Sequence, residues 1–266
     1  MMRQFHKMHG LGNDFVILDG RDAPLTMTEA LARALADRHK GIGCDQLILI
    51  ETSKVGDVKM RIWNHDGSEV ESCGNASRCV VALTGAAKIE TSGGIVEGKA
   101  AGDDFEVTLP PPKFGWDDIP LSYPMDTRAL PLGWGPLDKP FAVNVGNPHV
   151  IFFVDDPAAV DLARFGPSIE DDPAFPERIN VNVASVGTDG VKLRTWERGA
   201  GLTLACGTGA SATAVAAIAT KRTTSPVKVT MRGGSLTIGW TDGGVISMRG
   251  AATHVFKGEI DLEAFA

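Results

Sequence analysis

The hexapeptide Val58-Lys59-Met60-Arg61-Ile62-Trp63 recurs with two changes as Val191-Lys192-Leu193-Arg194-Thr195-Trp196, 133 positions further along the chain. Three further pairs keep this order at an offset of 133 or 134: Gly12–Ile17 with Gly146–Ile151, Cys73-Gly74 with Cys206-Gly207, and Lys88 with Lys221. The offset is half of the 266-residue length. Because four matches in one order at one spacing are hard to obtain by chance, the sequence predicts two related domains.

Residues 110–140 hold eight of the fifteen prolines in the chain. Proline lacks the backbone N–H that helices and sheets require, so this stretch is predicted to be a linker and entry segment. The predicted domains are residues 1–116, which carry Cys73, and residues 117–266, which carry Cys206. We expect the C-terminal tail, from about residue 258, to be able to return to the first domain.

Strand patterns occur in both halves as apolar, β-branched runs bounded by glycine, aspartate or asparagine. In the first half these runs are Phe15–Leu18, Gln46–Ile50, Val58–Trp63 and Phe105–Leu109. In the second half they are Val150–Val154, Ile179–Val183, Val191–Trp196, Val227–Met231, Leu236–Trp240 and Val245–Met248. Because short turns connect most of these runs, antiparallel pairing is favoured.

Helix patterns are fewer. A capping box at Thr26–Glu29 predicts the start of one helix, which ends at Arg38–Gly41 with basic residues and a glycine. Two more, Asn75–Lys88 and Thr208–Lys221, follow the Cys-Gly pairs and are almost uncharged before the terminal lysine. A helix that is apolar on all sides is buried on all sides. The sequence therefore predicts an α+β fold of two pseudo-symmetric domains, each a curved, mostly antiparallel sheet or barrel around a central buried helix.

The composition excludes several classes of partner. Lys+Arg is 26 against Asp+Glu 33, so the net charge of −7 repels phosphate backbones and anionic lipid. We therefore expect neither nucleic acid nor a membrane as a partner. The chain also lacks an apolar run of about 18 residues and the apolar core of a signal peptide, which predicts a cytosolic protein.

The cysteines are the candidate reactive groups. Four in a chain of this length are too few for a disulfide scaffold, and the cytosol would keep them reduced. Cys73 and Cys206 each begin a predicted buried helix, where free backbone N–H groups and the helix dipole stabilise a thiolate. Cys44 and Cys79 are predicted to be packing residues, since Cys79 lies on the opposite side of its helix from Cys73.

Two such sites suit one reaction. If the domains face each other about a pseudo-twofold axis, the two thiols would flank one cleft, and a substrate carboxylate would lie between two helix N-termini. One thiolate would remove a proton from the carbon beside the carboxylate, and the opposite thiol would return a proton to the other face. This scheme predicts inversion of a stereocentre without an electron-sink cofactor.

Other ligand motifs are incomplete. Gly93–Lys99 has phosphate-loop spacing, but Ala100 replaces the required hydroxyl, so we interpret the stretch as a turn. The glycines near residues 10–12 and 41–43 do not complete a dinucleotide motif. His6 and His9 lack cysteine or carboxylate partners, so neither a metal nor another cofactor is predicted.

Six motifs are distinctive when taken together. They are Gly10–Phe15 (GLGNDF), Gly43–Gln46 (GCDQ), Trp63–Ser68 (WNHDGS), Glu71–Asn75 (ESCGN), Gly146–His149 (GNPH) and Glu197–Gly209 (ERGAGLTLACGTG). Through them the chain resembles the diaminopimelate epimerase family over nearly its whole length. The resemblance implies a homodimer that interconverts LL- and meso-2,6-diaminopimelate by a cofactor-independent, two-base reaction, in lysine and peptidoglycan-precursor biosynthesis.

The resemblance also implies roles for individual residues. Cys73 and Cys206 would be the paired acid and base, while His149 and Glu197 would assist thiol ionisation and hold the substrate amine. The side chains expected to contact the substrate are Asn13, Gln46, Asn64, Asn147, Asn180, Glu197 and Arg198. The backbone N–H groups expected to cradle a carboxylate belong to Gly74, Asn75, Gly207 and Thr208.

The chain departs from the common family pattern at a few positions. His65 stands where a small residue is usual, and Ala76-Ser77 stands where Gly-Ala is frequent. Leu202 stands where a glutamate often follows Gly-x-Gly, which removes a charge near the second thiol. This loss bears on thiol ionisation and rate rather than on the reaction class, since Glu197 and Arg198 remain.

Two alternative functions stay open from the residues. An enzyme like proline or hydroxyproline racemase would share the architecture, but such enzymes usually place a histidine after the first Cys-Gly, where this chain has Asn75. A thiol redox protein that uses a Cys73–Cys206 disulfide belongs to a different class and would exchange no proton on any amino acid. The chain offers no C-x-x-C motif for that chemistry.

Overall fold

The computed structural model describes residues 1–265, which form two compact units. The first unit contains residues 1–107 together with the C-terminal segment from Arg249, and the second contains residues 108–248. The division therefore falls before the predicted one at residue 116, and the return to the first unit begins earlier than residue 258. The return is early because the last strand of the chain pairs with the first along most of its length.

The strands and helices alternate in a similar order along both halves. The first half contains β1 (Met2–Gly10), β2 (Asn13–Asp19), α1 (Glu29–Ala36), β3 (Gln46–Glu51), β4 (Val58–Asn64), β5 (Glu69–Val70), α2 (Gly74–Thr84), β6 (Lys88–Thr91), β7 (Gly94–Ala101) and β8 (Asp104–Leu109). The second contains β9 (Gly133–Trp134), β10 (Leu137–Asp138), β11 (Phe141–Asn144), β12 (Pro148–Phe153), α3 (Leu162–Glu170), β13 (Asn180–Gly187), β14 (Gly190–Glu197), β15 (Gly201–Leu202), α4 (Gly207–Ala219), β16 (Val227–Met231), β17 (Gly234–Gly239) and β18 (Ile246–Gly250). The C-terminal strand is β19 (Thr253–Asp261).

Strand pairing follows one scheme in both units. In the first, β2 and β3 pair in parallel across α1, and β4 and β6 pair in parallel across α2. In the second, β12 and β13 pair in parallel across α3, and β14 and β16 pair in parallel across α4. The pairs β1–β2, β3–β4, β6–β7, β11–β12, β13–β14 and β16–β17 are antiparallel. The predicted α+β class is confirmed, and helical crossovers supply the parallel pairs within it.

The repeat extends to individual positions. Phe15 lies opposite Gln46 in the first unit, and His149 lies opposite Asn180 in the second. Leu47 lies opposite Trp63, as Val181 lies opposite Trp196. The residues that follow the two tryptophans, Asn64 and Glu197, are therefore equivalent as well. This equivalence makes the two units directly comparable, residue by residue.

The two helices after the Cys-Gly pairs are central to their units. Residues Gly209–Ala217 of α4 are buried without interruption, and so are residues Asn75–Val81 of α2. The predicted ends of both helices at lysine are wrong. Helix α2 ends at Thr84, because Gly85 takes the left-handed conformation (φ 71°) and caps it. Helix α4 ends at Ala219, two residues before Lys221.

Helices α1 and α3 differ more from the prediction than α2 and α4 do. Thr28 rather than Thr26 caps α1, since its Oγ1 accepts a hydrogen bond from the backbone N–H of Leu31 at 3.2 Å. Helix α1 ends at Ala36, before the predicted basic residues, because Asp37 is extended. Helix α3 was not predicted, since Pro167 inside it obscures the helical pattern.

The proline-rich segment is packed rather than open. Ile119, Leu121, Leu130 and Leu137 are buried in the apolar core of the second unit. Residues 133–134 and 137–138 also pair as the short ladder β9–β10. The prediction of a linker is wrong, because the apolar residues between the prolines anchor the segment. In the described part of the chain, the helices are all too short or too polar to cross a membrane.

Candidate active site

Each Cys-Gly pair lies at the start of a buried helix. Cys73 is the N-cap residue of α2 and Cys206 is the N-cap residue of α4, both with extended backbone. The backbone N–H groups of the first helical turn have no partner within a helix, and the helix dipole is positive there. Each unit therefore presents a thiol next to an N-terminus that can bind a carboxylate.

The Cys206 thiol is buried and touches both donors and an acceptor. The backbone N–H of Gly209 donates to its Sγ at 3.3 Å, and the Thr208 hydroxyl lies 3.5 Å from it. Burial is the main cause that raises the pKa of Cys206 well above its usual value, and the negative charge of Glu197 adds to it. Glu197 is also a hydrogen-bond partner of this thiol. A carboxylate beside a buried thiol can accept the thiol proton when a bound substrate compensates the negative charge of the thiolate that forms.

Gly209 is required for this arrangement. A Cβ at this position would lie 2.8 Å from Asn182 Oδ1 and 2.9 Å from Thr195 Oγ1, both buried atoms. We expect Gly209→Ala to lower the free energy of unfolding by about 1–3 kcal/mol through overpacking. Urea denaturation would measure the loss. The matched control is Gly187→Ala, whose Cβ would meet no atom within 4 Å, and an equal loss in the two variants would contradict the expectation.

The Cys73 thiol is only half-buried and lies among amides. Its Sγ lies 3.9 Å from Asn13 Oδ1, which also accepts a hydrogen bond from Asn75 Nδ2 at 3.2 Å. Asn13 Nδ2 donates in turn to the Asp45 carboxylate at 3.1 Å. The structure thus brings Cys73, Asn13 and Asn75 together, and it adds Asp45, which sequence reasoning did not select.

A second amide pair lies in the same unit. Gln46 Nε2 donates to Asn64 Oδ1 at 3.0 Å, and Asn64 Nδ2 donates to the Ser68 hydroxyl at 3.1 Å. The remaining atom of the pair, Gln46 Oε1, is buried and has no hydrogen-bond partner among residues 1–265. An unpaired buried acceptor is costly, and a ligand ammonium or N–H group would satisfy it.

The predicted site residues form equivalent pairs across the repeat. At offsets of 133 or 134 the pairs are Asn13 with Asn147, Gln46 with Asn180, Asn64 with Glu197, and Cys73 with Cys206. The ionisable groups break the symmetry, since His149 corresponds to Phe15 and Glu197 corresponds to Asn64. The second unit therefore carries two titratable side chains where the first carries none.

His149 is buried between two amides. Asn182 Nδ2 donates to the Val150 carbonyl at 3.1 Å, which fixes its orientation, and lies 3.0 Å from His149 Nδ1. Nδ1 is therefore an acceptor, and Nε2–H donates to Asn147 Oδ1 at 2.8 Å. Burial, helped by the charge of Arg198, lowers the pKa of His149 to about 3. In this structure His149 is neutral and orients Asn147.

This burial predicts an acid-dependent stability. The unfolded chain binds a proton at His149 near pH 6.5, whereas the folded unit does so only near pH 3. Acid therefore favours unfolding, and the stabilisation present above pH 6.5 is lost as the pH falls towards 3. We expect about 1.4 kcal/mol per pH unit from this group. Urea titrations at several pH values should show a shallower pH dependence for His149→Gln, while the exposed His39→Gln control retains the wild-type slope.

The amide of Asn180 is engaged with backbone at both ends. Its Nδ2 donates to the Pro148 carbonyl at 2.8 Å, and its Oδ1 accepts from the backbone N–H of Arg198 at 2.9 Å. The Arg198 guanidinium donates to the Glu177 carbonyl at 3.0 Å. Asn180 thus holds the backbone of Arg198 in place, a role that its short sequence context did not indicate.

Glu170 on α3 was missed and supports the same loop. Its carboxylate accepts hydrogen bonds from Trp196 Nε1 at 2.7 Å and from the Gly199 backbone N–H at 2.8 Å, and Arg178 lies 3.3 Å away. These contacts anchor both sides of Glu197. Glu170 could not be found from the sequence, because an acidic residue in an unrecognised helix resembles any surface charge.

A small cavity of about 50 Å³ adjoins Cys206 in the second unit, lined in part by Leu202, Thr203 and Leu204. Leu202 and Leu204 are 43% and 55% exposed. The rim of the cavity is therefore apolar at position 202, where the family often has a glutamate. Cys44 and Cys79 are buried, and burial raises their pKa to about 11 and about 12. Residues 1–265 contain no cluster of three or more His, Cys, Asp or Glu suited to a metal.

Comparison with known proteins gives the family. A family model described as diaminopimelate epimerase matches residues 5–110 and 141–255. A protein named diaminopimelate epimerase from Rhizorhabdus wittichii is 61% identical over 268 residues and covers 100% of this chain and 98% of that protein. One of the same name from Sphingopyxis alaskensis is 58% identical over 267 residues and covers 100% of both.

Solved structures show the same fold at low identity. A phenazine biosynthesis protein of the PhzF family from Bacillus anthracis superposes with a TM-score of 0.69 at 16% identity, covering 98% of this chain and 99% of that one. A hydroxyproline epimerase from Agrobacterium vitis has a TM-score of 0.67 at 15% identity, covering 97% and 91%. These likenesses show the fold alone. The family-model match, the full-length relatives and the duplicated Cys-Gly helix starts together establish that the chain belongs to the diaminopimelate epimerase family.

Proposed function

We propose that this protein is an isomerase that interconverts LL- and meso-2,6-diaminopimelate, with Cys73 and Cys206 as the two proton-transfer groups. One observation carries the proposal: a chain of this family places one thiol at the N-cap of the buried helix of each repeat. The reaction serves lysine and peptidoglycan-precursor biosynthesis. Its steps use only the protein's own groups.

The two sulfurs exchange protons with opposite faces of the substrate α-carbon. One sulfur, as thiolate, takes the α-proton and becomes a thiol, and the electron pair of the broken C–H bond passes into the substrate carboxylate. The backbone N–H groups at Gly74, Asn75, Gly207 and Thr208 stabilise the charge that develops there. The other sulfur, as thiol, gives its proton to the opposite face and becomes a thiolate. The configuration inverts, and the two sulfurs exchange protonation states.

The remaining polar residues suit a substrate with two ammonium and two carboxylate groups. Gln46 Oε1 is an acceptor for an ammonium group, and Asn64 lies beside it. Arg198 is the guanidinium available for a carboxylate, since it can form two parallel hydrogen bonds to one. Asn13, Asn147 and Asn180 orient their neighbours in the absence of ligand and would complete the set of contacts.

A deuterium experiment tests the proposal. Reduced protein without added cofactor is incubated with LL-diaminopimelate in D₂O, and α-deuteration and meso product are followed by NMR and chiral chromatography. We expect both to accumulate together. A protein that is folded and reduced but catalyses neither exchange nor inversion would contradict the proposed function.

We further infer a homodimer in the cytosol, with no nucleic acid or membrane as a partner. The family resemblance supports the dimer, and the net charge of −7 supports the absence of polyanion binding. Sedimentation equilibrium at micromolar protein tests the dimer, and a monomer under those conditions would contradict it.

A further inference from the structure

A chain of hydrogen bonds leads from a buried arginine to the Cys73 thiol. Arg78 Nη2 donates to Asn75 Oδ1 at 2.9 Å, and Asn75 Nδ2 donates to Asn13 Oδ1 at 3.2 Å. Asn13 Nδ2 donates to Asp45 Oδ2 at 3.1 Å. We call Arg78, Asn75, Asn13 and Asp45 the amide relay. Cys73 Sγ lies 3.9 Å from Asn13 Oδ1, at the centre of this relay.

The two ends of the relay determine its direction. A guanidinium has donors and no acceptor, so Arg78 requires the oxygen of Asn75 to face it. A carboxylate has acceptors and no donor, so Asp45 requires the NH₂ group of Asn13 to face it. Both requirements give the same amide orientations. The group that Asn13 presents to Cys73 is therefore its carbonyl oxygen.

The buried position of the Arg78 side chain carries an energetic cost, although its Nε donates to the Ala251 carbonyl at 3.4 Å. It is 0% exposed, and its Nη1 has no hydrogen-bond partner within residues 1–265. A buried, incompletely paired guanidinium destabilises a fold. Gly10 admits it, because a Cβ there would lie 3.0 Å from Nη2. A residue needed only for packing would be apolar here, as are most of its neighbours on α2.

The second repeat has no such relay. The positions equivalent to Asp45 and Arg78 are Ile179 and Ser211, neither of which is a fixed acceptor or a fixed donor at that place. Asn147, the equivalent of Asn13, is instead held through its oxygen by His149 Nε2–H. The sulfur of Cys206 receives the Gly209 N–H. The relay is thus a feature of Cys73 alone.

We propose that Asp45 and Arg78 are positioning residues that hold Asn13 with its oxygen towards Cys73, so that Cys73 is the protonated thiol in the ligand-free protein. An acceptor facing the sulfur stabilises S–H and repels a thiolate. In the reaction proposed above, on which this consequence rests, Cys73 is then the group that first donates its proton to the substrate carbon. The S–H bond breaks, the proton goes to the carbanion, and the thiolate left behind lies near the Arg78 charge.

Infrared spectroscopy of the wild-type protein tests the protonation state directly. In reduced protein at neutral pH, the difference spectrum against Cys73→Ala should contain an S–H stretching band, displaced to lower frequency than that of an exposed cysteine. The bands of Cys44, Cys79 and Cys206 cancel in the difference. Absence of the band, or a band at the frequency of a thiol without a hydrogen bond, overturns the proposal.

A double-mutant cycle tests the relay. Asparagine at 45 and glutamine at 78 can each donate or accept, so only Asp45→Asn combined with Arg78→Gln lets both amides rotate and present NH₂ to the sulfur. The readout is the pH midpoint of Cys73 alkylation, measured by mass spectrometry of the Cys73 peptide. We expect the pH midpoint of the double variant to lie on the order of one pH unit below the value obtained by adding the shifts of the two single variants.

The nearby charged and titratable groups do not mimic this coupling. Asp14, Lys7 and Arg38 lie at the Asp45 end, and Cys79 and Asp104 lie at the Arg78 end, unchanged in every variant. Removal of the two relay charges contributes additively. The matched control is Asp45→Asn with Arg78→Lys, which keeps a donor-only group at position 78, so its two shifts in the pH midpoint should add. If the shifts of Asp45→Asn and Arg78→Gln also add, the relay is overturned.

Failure of this proposal is distinguishable from failure of the proposed function. Both relay measurements use the protein without substrate. If diaminopimelate exchanges no deuterium but the S–H band is present, the function is wrong and the relay stands. If epimerisation proceeds without the band, the relay is wrong and the function stands. Should Arg78→Gln fail to fold, the wild-type infrared experiment still decides the protonation state.

Discussion

Cys73→Ala and Cys206→Ala are each expected to lower epimerisation of LL-diaminopimelate by at least about 10²–10⁴-fold, the usual contribution of one positioned acid or base. The losses should not add, because inversion requires a proton to leave one face and another to arrive at the opposite face. Removing either sulfur leaves no path between the two configurations. Chiral chromatography of the product measures the rate.

Isotope exchange sharpens this expectation. A variant with one remaining thiol can still remove and return a proton on the same face, which introduces deuterium without inversion. Each single variant should therefore deuterate the α-carbon of one stereoisomer only, and a different one in each variant. Cys79→Ala is the matched control, since Cys79 is a buried packing residue on α2, and it should retain near wild-type turnover. Full epimerisation by either single variant would refute the two-base scheme.

Glu197→Gln is expected to reduce kcat/KM by about 10²–10⁴-fold. Burial and the Glu197 charge both raise the pKa of Cys206, so ionisation of this thiol needs an acceptor for its proton close by. Glu197 is the carboxylate in hydrogen-bond contact with that thiol, and glutamine keeps its shape but cannot take the proton. Stopped-time assays across pH measure the loss.

The pH profile separates this role from simple packing. If Glu197 acts on the Cys206 proton, the variant should recover activity as the pH rises, because hydroxide then ionises the thiol. Asp189→Asn in the exposed turn before β14 is the control for removing one negative charge, and it should leave the profile unchanged. A uniform loss at every pH would contradict this proton-transfer role of Glu197.

Local sequence predicted much of the fold because the decisive signals are short-range. The repeated hexapeptide and the Cys-Gly pairs gave the duplicated architecture, and the apolar runs lie within the observed strands to within one or two residues. The helix α3 and the packed proline-rich segment were missed. Their structure depends on contacts with the core of the second unit rather than on propensity, since Pro167 and the prolines of residues 110–140 oppose regular elements.

The residues of the candidate site also fall into those that local sequence predicted and those that it did not. The thiols and the amides that match family motifs were predicted as site residues, while the residues that hold them in place were not. Asp45, Glu170 and Asn182 act on groups 26–33 positions away in sequence, so no local pattern reports them. Arg78 had a usable signal: it is the only charged residue between Cys73 and Lys88 in an otherwise uncharged helix. A single charge within a buried pattern deserves a functional explanation.

The pairing of β19 with β1 has a consequence for synthesis on the ribosome. Strand β1 is translated first, yet its partner runs from Thr253 to Asp261, opposite residues 2–9, and the Met1 amino group bonds Asp261. The second unit is continuous in sequence and can fold while translation continues. The first unit remains incomplete until residues 253–261 have been synthesised, and one edge of β1 stays uncovered until then, so nascent chains arrested near residue 248 should expose that edge to chaperones and proteases.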